Sequence, residues 1–118
     1  MRLCLYASGK TLAQRRDQLV RFLAAQMEGV RHALNNRDDA IKLAKEMTDA
    51  KSDDPRAAYI YDEVVRYSAI TPDMPIPMDK LAWMRELLTK TGNLSKPLDL
   101  AKLTDDGPRA QALELAGK

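Results

Sequence analysis

The sequence predicts a mainly helical protein with four main helices, short helical turns near the C-terminus and one short N-terminal strand. Its 118 residues are enough for one compact domain, which we assign to residues 1–118. Leucine and alanine occur 16 times each and aromatic residues make up only 5%, a composition that favours packed helices over a β-sandwich or barrel. Apolar residues also recur at helical spacing along most of the chain.

The strand prediction concerns residues 3–7, an apolar stretch that ends at the polar Ser8 and at Gly9. A lone strand leaves its backbone donors and acceptors unpaired. No second strand pattern follows, so we expect the partner strand to come from another polypeptide or from a second copy of this chain.

The strongest helical pattern covers residues 11–34. Thr11 and Gln14 have the spacing of a capping box, and Gly29 inside the pattern suggests a close crossing with another helix. A single apolar stripe is expected to face inward: Leu12, Leu19, Leu23, Met27, Val30 and Leu34.

Two more helices are predicted in the middle of the chain. Asn36 is expected to cap the first, which continues to Met47. Asp54 is expected to cap the second, with Pro55 at its first position and its end near Ser68. Their inward residues are expected to be Ala40, Ile41, Ala44 and Met47, then Ala57, Ile60, Tyr61, Val64 and Tyr67.

The last part of the chain begins with three prolines within residues 71–77, which predict an extended connector. A fourth helix is expected over residues 78–91, with Gly92 as its C-terminal stop. Residues 97–103 predict a short helical turn. Residues 106–108, Asp-Gly-Pro, predict the start of a last short helix that ends near Ala116.

The charge pattern argues against a nucleic-acid binder. The 19 basic and 17 acidic residues give a net charge of +2 and are interspersed, whereas nucleic-acid binders concentrate lysine and arginine on one face. The densest basic region is best interpreted as a solvated helix face, with an electrostatic docking patch as the alternative. It consists of Arg15, Arg16 and Arg21, with Asp17 among them. A nucleic-acid interface, the weakest alternative, would add Arg31.

No apolar stretch has the length of a secretory signal or of a membrane span. The chain as written is therefore expected to stay in the cytoplasm. The single cysteine, Cys4, excludes an internal disulfide and is expected to be a small buried side chain.

Few residues offer catalytic or metal-binding chemistry. His32 has only Glu28 at ligand spacing, and two ligands do not make a zinc site. A Cys4–His32 pair would lack a third, orienting group. We therefore predict no catalytic residue, metal or cofactor, and no enzymatic activity.

Two further groups have structural interpretations. The acidic pairs Asp38–Asp39 and Asp53–Asp54 could be acid–base or magnesium carboxylates, but they precede helices at cap spacing. Four aromatic residues could line a pocket, but at helical spacing they are expected to fill the core, with Trp83 at a second interface: Tyr59, Tyr61, Tyr67 and Trp83.

Several segments, in order, resemble one known family. Residues 7–23, Ala-Ser-Gly-Lys-Thr-Leu through Arg-Phe-Leu, are similar to a segment of the solute-binding proteins of ABC transporters of the nitrate, sulfonate and taurine type, which includes binders of thiamine-pyrimidine precursors. Gly29 matches a helix glycine of that family, and residues 36–40 resemble the start of its next helix. Residues 71–73, 78–79 and 83 and the segment 91–100 continue the similarity. Arg16 and Arg37 depart from the family, which commonly has proline there.

The resemblance implies that this chain corresponds to the last third of a two-lobed type II periplasmic binding protein. Such a part braces the first lobe, while the solute lies between lobes that this sequence does not contain. The resemblance thus implies solute uptake, a periplasmic location for the full-length protein, and no ligand competence for this part alone. No ligand-binding residue carries over by motif.

Two partner hypotheses follow. The chain packs on the missing lobes of a solute-binding protein, with an ABC permease as a further partner. Alternatively, it is a free-standing helical interaction module that forms a homodimer. We expect the homodimer seam to use either the strand at residues 3–7 or the stripe formed by Leu19, Leu23 and Met27.

Overall fold

The computed structural model describes residues 5–117, and this part of the chain is mainly helical. In chain order the helices are α1 (Gly9–Gln14), α2 (Arg16–Asn35), α3 (Arg37–Met47), α4 (Arg56–Arg66), α5 (Met78–Lys90), α6 (Leu100–Leu103) and α7 (Gly107–Leu115). The four longest, α2 to α5, are the four main helices that the sequence predicts. The mainly helical fold class is therefore confirmed.

The strand prediction is wrong where it can be compared with the structure. Leu5, Tyr6 and Ala7 have no regular secondary structure and are exposed, while residues 3 and 4 and the Cys4 prediction lie outside the described residues. An isolated strand has no ladder partner within residues 5–117, so no backbone hydrogen bonds hold these residues in a sheet.

The long helix predicted over residues 11–34 is two helices. The backbone breaks at Arg15, with φ −133° and ψ 31°. The cap is Ser8 rather than Thr11, because the Ser8 hydroxyl accepts a hydrogen bond from the Thr11 amide at 3.1 Å. Gly29 is exposed, with open space around it, so it does not mark a helix crossing.

The small core lies between α2 and α7. Val20, Ala24 and Met27 follow one another by four and three residues on α2 and pack with Ala112 and Ala116. Leu23 is only partly buried against this core. The buried stripe is thus rotated from the predicted one, because α7 covers the side of α2 that carries small side chains, where two helices can approach closely.

This packing corrects one predicted homodimer seam. Met27 is fully buried by the chain's own α7, and Leu23 packs beside it. A second copy therefore cannot pack on the predicted Leu19, Leu23 and Met27 stripe without displacing α7.

The helix ends follow local chemistry with small shifts. The Asp54 carboxylate accepts a hydrogen bond from the Arg56 amide at 2.9 Å, so it caps α4 as predicted, although the helix begins one residue later than Pro55. Asn36 stands at the N-cap position of α3, as predicted, but its side chain makes no capping hydrogen bond there. Its side-chain amide instead donates to the His32 carbonyl at 2.8 Å and closes the end of α2.

Gly92 has φ +75° and follows α5, as the sequence predicts. The conformation is left-handed, which glycine adopts without steric cost. The last helix also begins at the predicted position, with proline in its first turn.

The described chain is expanded for its size. Its radius of gyration is 17.2 Å, whereas a compact domain of this length has about 13 Å. Its accessible surface is 9343 Å², against roughly 6,400 Å² for a folded monomer of this mass. The helices therefore leave much surface uncovered.

Candidate interaction surface

Two arginines of α2 fasten the two ends of α7. Near the start of α2, Arg16 donates to the Asp105 carboxylate at 3.0 Å. Near its end, Arg31 donates to the carbonyls of Ala116 and Gly117 at 2.8 and 3.2 Å. The two helices therefore run parallel, and the Arg31 cation lies where the carbonyl ends of α7 carry partial negative charge.

These contacts change the interpretation of the basic residues. Arg16 and Arg31 are bound to α7, while Arg15 and Arg21 are exposed. Of the three arginines predicted to form a solvated face, Arg15 and Arg21 are therefore exposed and Arg16 is not, and Arg31 of the nucleic-acid alternative is bound to α7 as well.

A third arginine joins α3 to α4. Arg37 donates twice to the Asp62 carboxylate, each time at 2.9 Å, and lies over the Tyr61 ring at 5.9 Å from its centroid. The Tyr61 hydroxyl donates to the carbonyls of Ala33 and Leu34 at the end of α2. This cluster fixes the α3–α4 hairpin to α2.

The hairpin formed by α3 and α4 carries large exposed apolar side chains on both helices. Met47 on α3 is 78% exposed and Ile60 on α4 is 60% exposed. Tyr59 and Val65 of α4 are exposed as well. We call four of the exposed residues the hairpin face: Leu43, Met47, Ile60 and Tyr67.

The two halves of the hairpin face lie on the same side of the hairpin. The helices run antiparallel, since Arg37 at the start of α3 contacts Asp62 in the second half of α4. Half-buried Ile41 and Tyr61 lie where the helices meet, and Met47 and Tyr67 each follow them by six residues. In two antiparallel helices, residues that follow the contact residue by the same number of positions project from the same side of the pair. Met47 and Tyr67 therefore lie on one side of the hairpin.

The sequence assigned part of this face to the core. Met47, Ile60 and Tyr67 were expected to point inward, and this prediction is wrong for the described chain. The sequence signal that could have identified the hairpin face is the high apolar content of one side of α4. Spacing identifies an apolar side but not the surface that covers it.

A shallow groove of about 820 Å³ lies on the hairpin. Its walls mix three basic with three acidic side chains, Arg37, Lys42, Lys45, Asp38, Glu46 and Asp49. Small-molecule sites are mostly apolar with a few convergent polar groups. This mixed, open lining is not of that type.

Helix α5 carries a second exposed apolar region. Trp83 is 61% exposed, whereas Leu81 and Met84 are half-buried. The connector before α5 is attached to the α2–α7 core, because Met74 packs against it and Arg109 donates to the Asp73 carbonyl at 3.1 Å.

Most of the aromatic residues do not fill the core. Tyr59, Tyr67 and Trp83 are exposed, and Tyr61 is the half-buried member of the group. Trp83 is 61% exposed, and its expected place at a second interface stays a prediction.

The remaining candidate residues stay apart. His32 is exposed, with its Nδ1 atom 3.2 Å from the Asn36 amide nitrogen. Within residues 5–117 no group of three or more histidine, cysteine or acidic side chains could hold a metal ion. Asp38 pairs with Arg37 at 3.5 Å and lies with Asp39 in the first turn of α3, as capping chemistry predicts.

Four aspartates have lowered pKa values because arginine side chains donate hydrogen bonds to their ionised forms. The pKa of Asp54 is lowered to about 2 by Arg56. The others, also with lowered pKa, are Asp62, Asp105 and Asp106.

These pKa shifts predict acid sensitivity. A lowered folded-state pKa adds stability above the unfolded value, and this stability is lost as the carboxylates become protonated. We expect the thermal midpoint to be level from neutral pH to about pH 5 and to fall between about pH 4 and pH 2. Circular dichroism melts at each pH measure it. The thermal midpoint of the Asp105→Asn variant should fall less over this pH range than that of the original chain. An equal fall in the two proteins would contradict the role of the Asp105 carboxylate.

None of the helices within residues 5–117 combines the length and apolarity that a bilayer crossing requires. No family model, curated protein or solved structure matches the chain. The proposed function therefore rests on the exposed apolar surfaces and on the sequence motifs.

Proposed function

We propose that this chain is the helical C-terminal part of an ABC-transporter solute-binding protein of the nitrate, sulfonate and taurine type. In this role it has no enzymatic activity. It braces the first lobe and does not enclose a solute by itself. The observation that carries the proposal is the uncovered surface, about 2,900 Å² more than a monomer of this mass exposes.

The small core supports this role. The hydrophobic core of the described residues consists of five side chains between α2 and α7, and Pro108 at the start of α7 is buried as well. Helices α3, α4 and α5 contribute no buried residue. Elements that cannot bury their apolar sides alone are typical of one part of a larger assembly, in which further lobes of the same protein or a second copy cover them.

The N-terminal end of the described chain fits the same role. Leu5 and Tyr6 are exposed and precede α1 without forming a sheet. In the resembled family this stretch is a strand of the first lobe. A sheet in that lobe would supply the hydrogen-bond partners that these residues lack here.

A second candidate function is a free-standing homodimeric interaction module, with no solute. The hairpin face favours it, because large apolar side chains are exposed on both packed helices, with Met47 and Tyr67 on the same side. The uncovered area alone does not choose between the two candidates, so the deciding measurement is solute binding.

The proposal predicts that solute binding needs the missing lobes. The test is isothermal titration calorimetry with taurine, an alkylsulfonate, nitrate and a hydroxymethylpyrimidine. The chain alone should give no binding heat, because a cleft between two lobes is absent. The longer product encoded by the contiguous upstream genomic sequence should bind one of these solutes.

Two results would contradict the proposal. One is micromolar affinity of the chain alone for any of the four solutes. The other is an upstream sequence that encodes no lobes, especially without permease and ATPase genes nearby. This second result would instead favour the homodimeric module.

A further inference from the structure

The hairpin face lies away from the end of the molecule where a parent sheet would join. Residues 5–7 precede α1, at the start of α2, whereas the hairpin follows the end of α2. The 20 residues of α2 span about 30 Å at the rise of an α-helix. Lobes that join at the start of α2 therefore need not cover the hairpin face, which follows its end.

We propose that the hairpin face is the docking surface for a second copy of this chain, through a two-fold arrangement of two α3–α4 hairpins. The inference identifies the surface that a homodimer would use. The hairpin face would be available to a second copy with or without the additional lobes, since these lobes are expected to join at the other end of α2.

The hairpin has the geometry of half a helical bundle. Its helices are antiparallel, each 11 residues long, and joined by a short loop. One side is apolar, as the exposed Met47 and Ile60 illustrate. Two such hairpins that pack through their apolar sides give a four-helix bundle, which is a stable solution for amphipathic helices.

The excess surface of the chain as a whole is larger than one standard interface requires. A standard interface removes about 800 Å² from each partner. The chain exposes roughly 2,900 Å² beyond the expectation for a compact monomer of its mass. One interface of standard size on each copy would therefore use less than a third of the excess.

The charges beside the hairpin face are compatible with a second copy. Arg66 lies over the Tyr67 ring at 5.2 Å from its centroid and contacts the Glu63 carboxylate at 3.4 Å. Each copy thus brings both signs of charge to the edge of the face. A two-fold interface places the same patch on both sides, so opposite charges can face each other across it.

The experiment is sedimentation equilibrium of the full chain at about 1–100 µM, a range that brackets micromolar dissociation constants. We expect a monomer–dimer equilibrium. Met47→Lys and Ile60→Lys should each raise the dissociation constant at least about tenfold, because an ammonium group would be buried without a partner. Their circular dichroism spectra should match that of the original chain, since both side chains are exposed in the monomer.

A matched control is Leu103→Lys, which places the same charge at an apolar residue that is 62% exposed on α6. It should leave the dissociation constant unchanged. A monomer at every concentration would overturn the proposal, as would equal dimerisation of all three variants.

The same variants separate this inference from the proposed solute-binding role. In the longer upstream product, Met47→Lys should abolish dimerisation and leave the solute affinity unchanged. If it abolishes solute binding instead, the hairpin face is covered by the lobes and the dimer proposal is wrong.

Discussion

Replacing Met27 by alanine is expected to give the largest loss of stability from a single truncation in this chain. Met27 is fully buried between α2 and α7, in a core of five residues. Removing its side chain leaves a cavity and costs about 2–5 kcal/mol. A small core has few neighbours that can move in to fill it.

Chemical denaturation of the variant, followed by circular dichroism at 222 nm, a helix signal that reports unfolding, measures this effect. The matched control is Met47→Ala, the same substitution at a methionine that is 78% exposed. It should change the free energy of unfolding by less than about 0.5 kcal/mol. Equal losses in both variants would mean that α2 and α7 do not form the core.

Replacing Arg31 by methionine is expected to loosen the C-terminal end of α7. The guanidinium donates to the carbonyls of Ala116 and Gly117. The hydrogen bond to Ala116 is part-buried and the one to Gly117 is exposed. Loss of the charged donor should therefore cost about 1.5–3 kcal/mol in total, mainly through the Ala116 hydrogen bond. The aliphatic part of methionine retains some of the packing, so the loss reports mainly on the hydrogen bonds.

Amide hydrogen exchange gives the most direct test, because it reports local opening. In Arg31→Met, amides of α7 should exchange faster while those of α4 keep their protection. Arg21→Met, at an exposed arginine of the same helix, should leave both unchanged. Unaltered protection of α7 in Arg31→Met would show that this arginine does not hold the helix.

The helix positions were largely predictable because their ends depend on local chemistry. Asp54 caps α4 through its carboxylate, Gly92 follows α5 in a left-handed conformation, and proline stands in the first turn of α7. Each signal acts within a few residues, so it can be recognised without knowledge of the fold. The break at Arg15 has no comparable signal, since neither glycine nor proline stands there.

The candidate interaction surface was less predictable. Met47, Ile60 and Tyr67 have the helical spacing of inward residues, and this spacing predicts a place in the core. In the described chain nothing packs over them, and they form the hairpin face. A periodic pattern reports that a helix has an apolar side, but the covering surface can belong to the same chain or to another.

The sequence by itself determined the helical class, the order of the main helices and the residues that end several of them, because propensity, capping and turn chemistry act locally. Only the tertiary structure decided that α7 pairs with α2 and that Val20 rather than Leu19 enters the core. It also decided that Arg31 donates to the Ala116 carbonyl at the end of α7, 85 residues further along the chain. Contacts between distant segments depend on which surfaces meet in three dimensions. A linear pattern of apolar residues leaves that choice open.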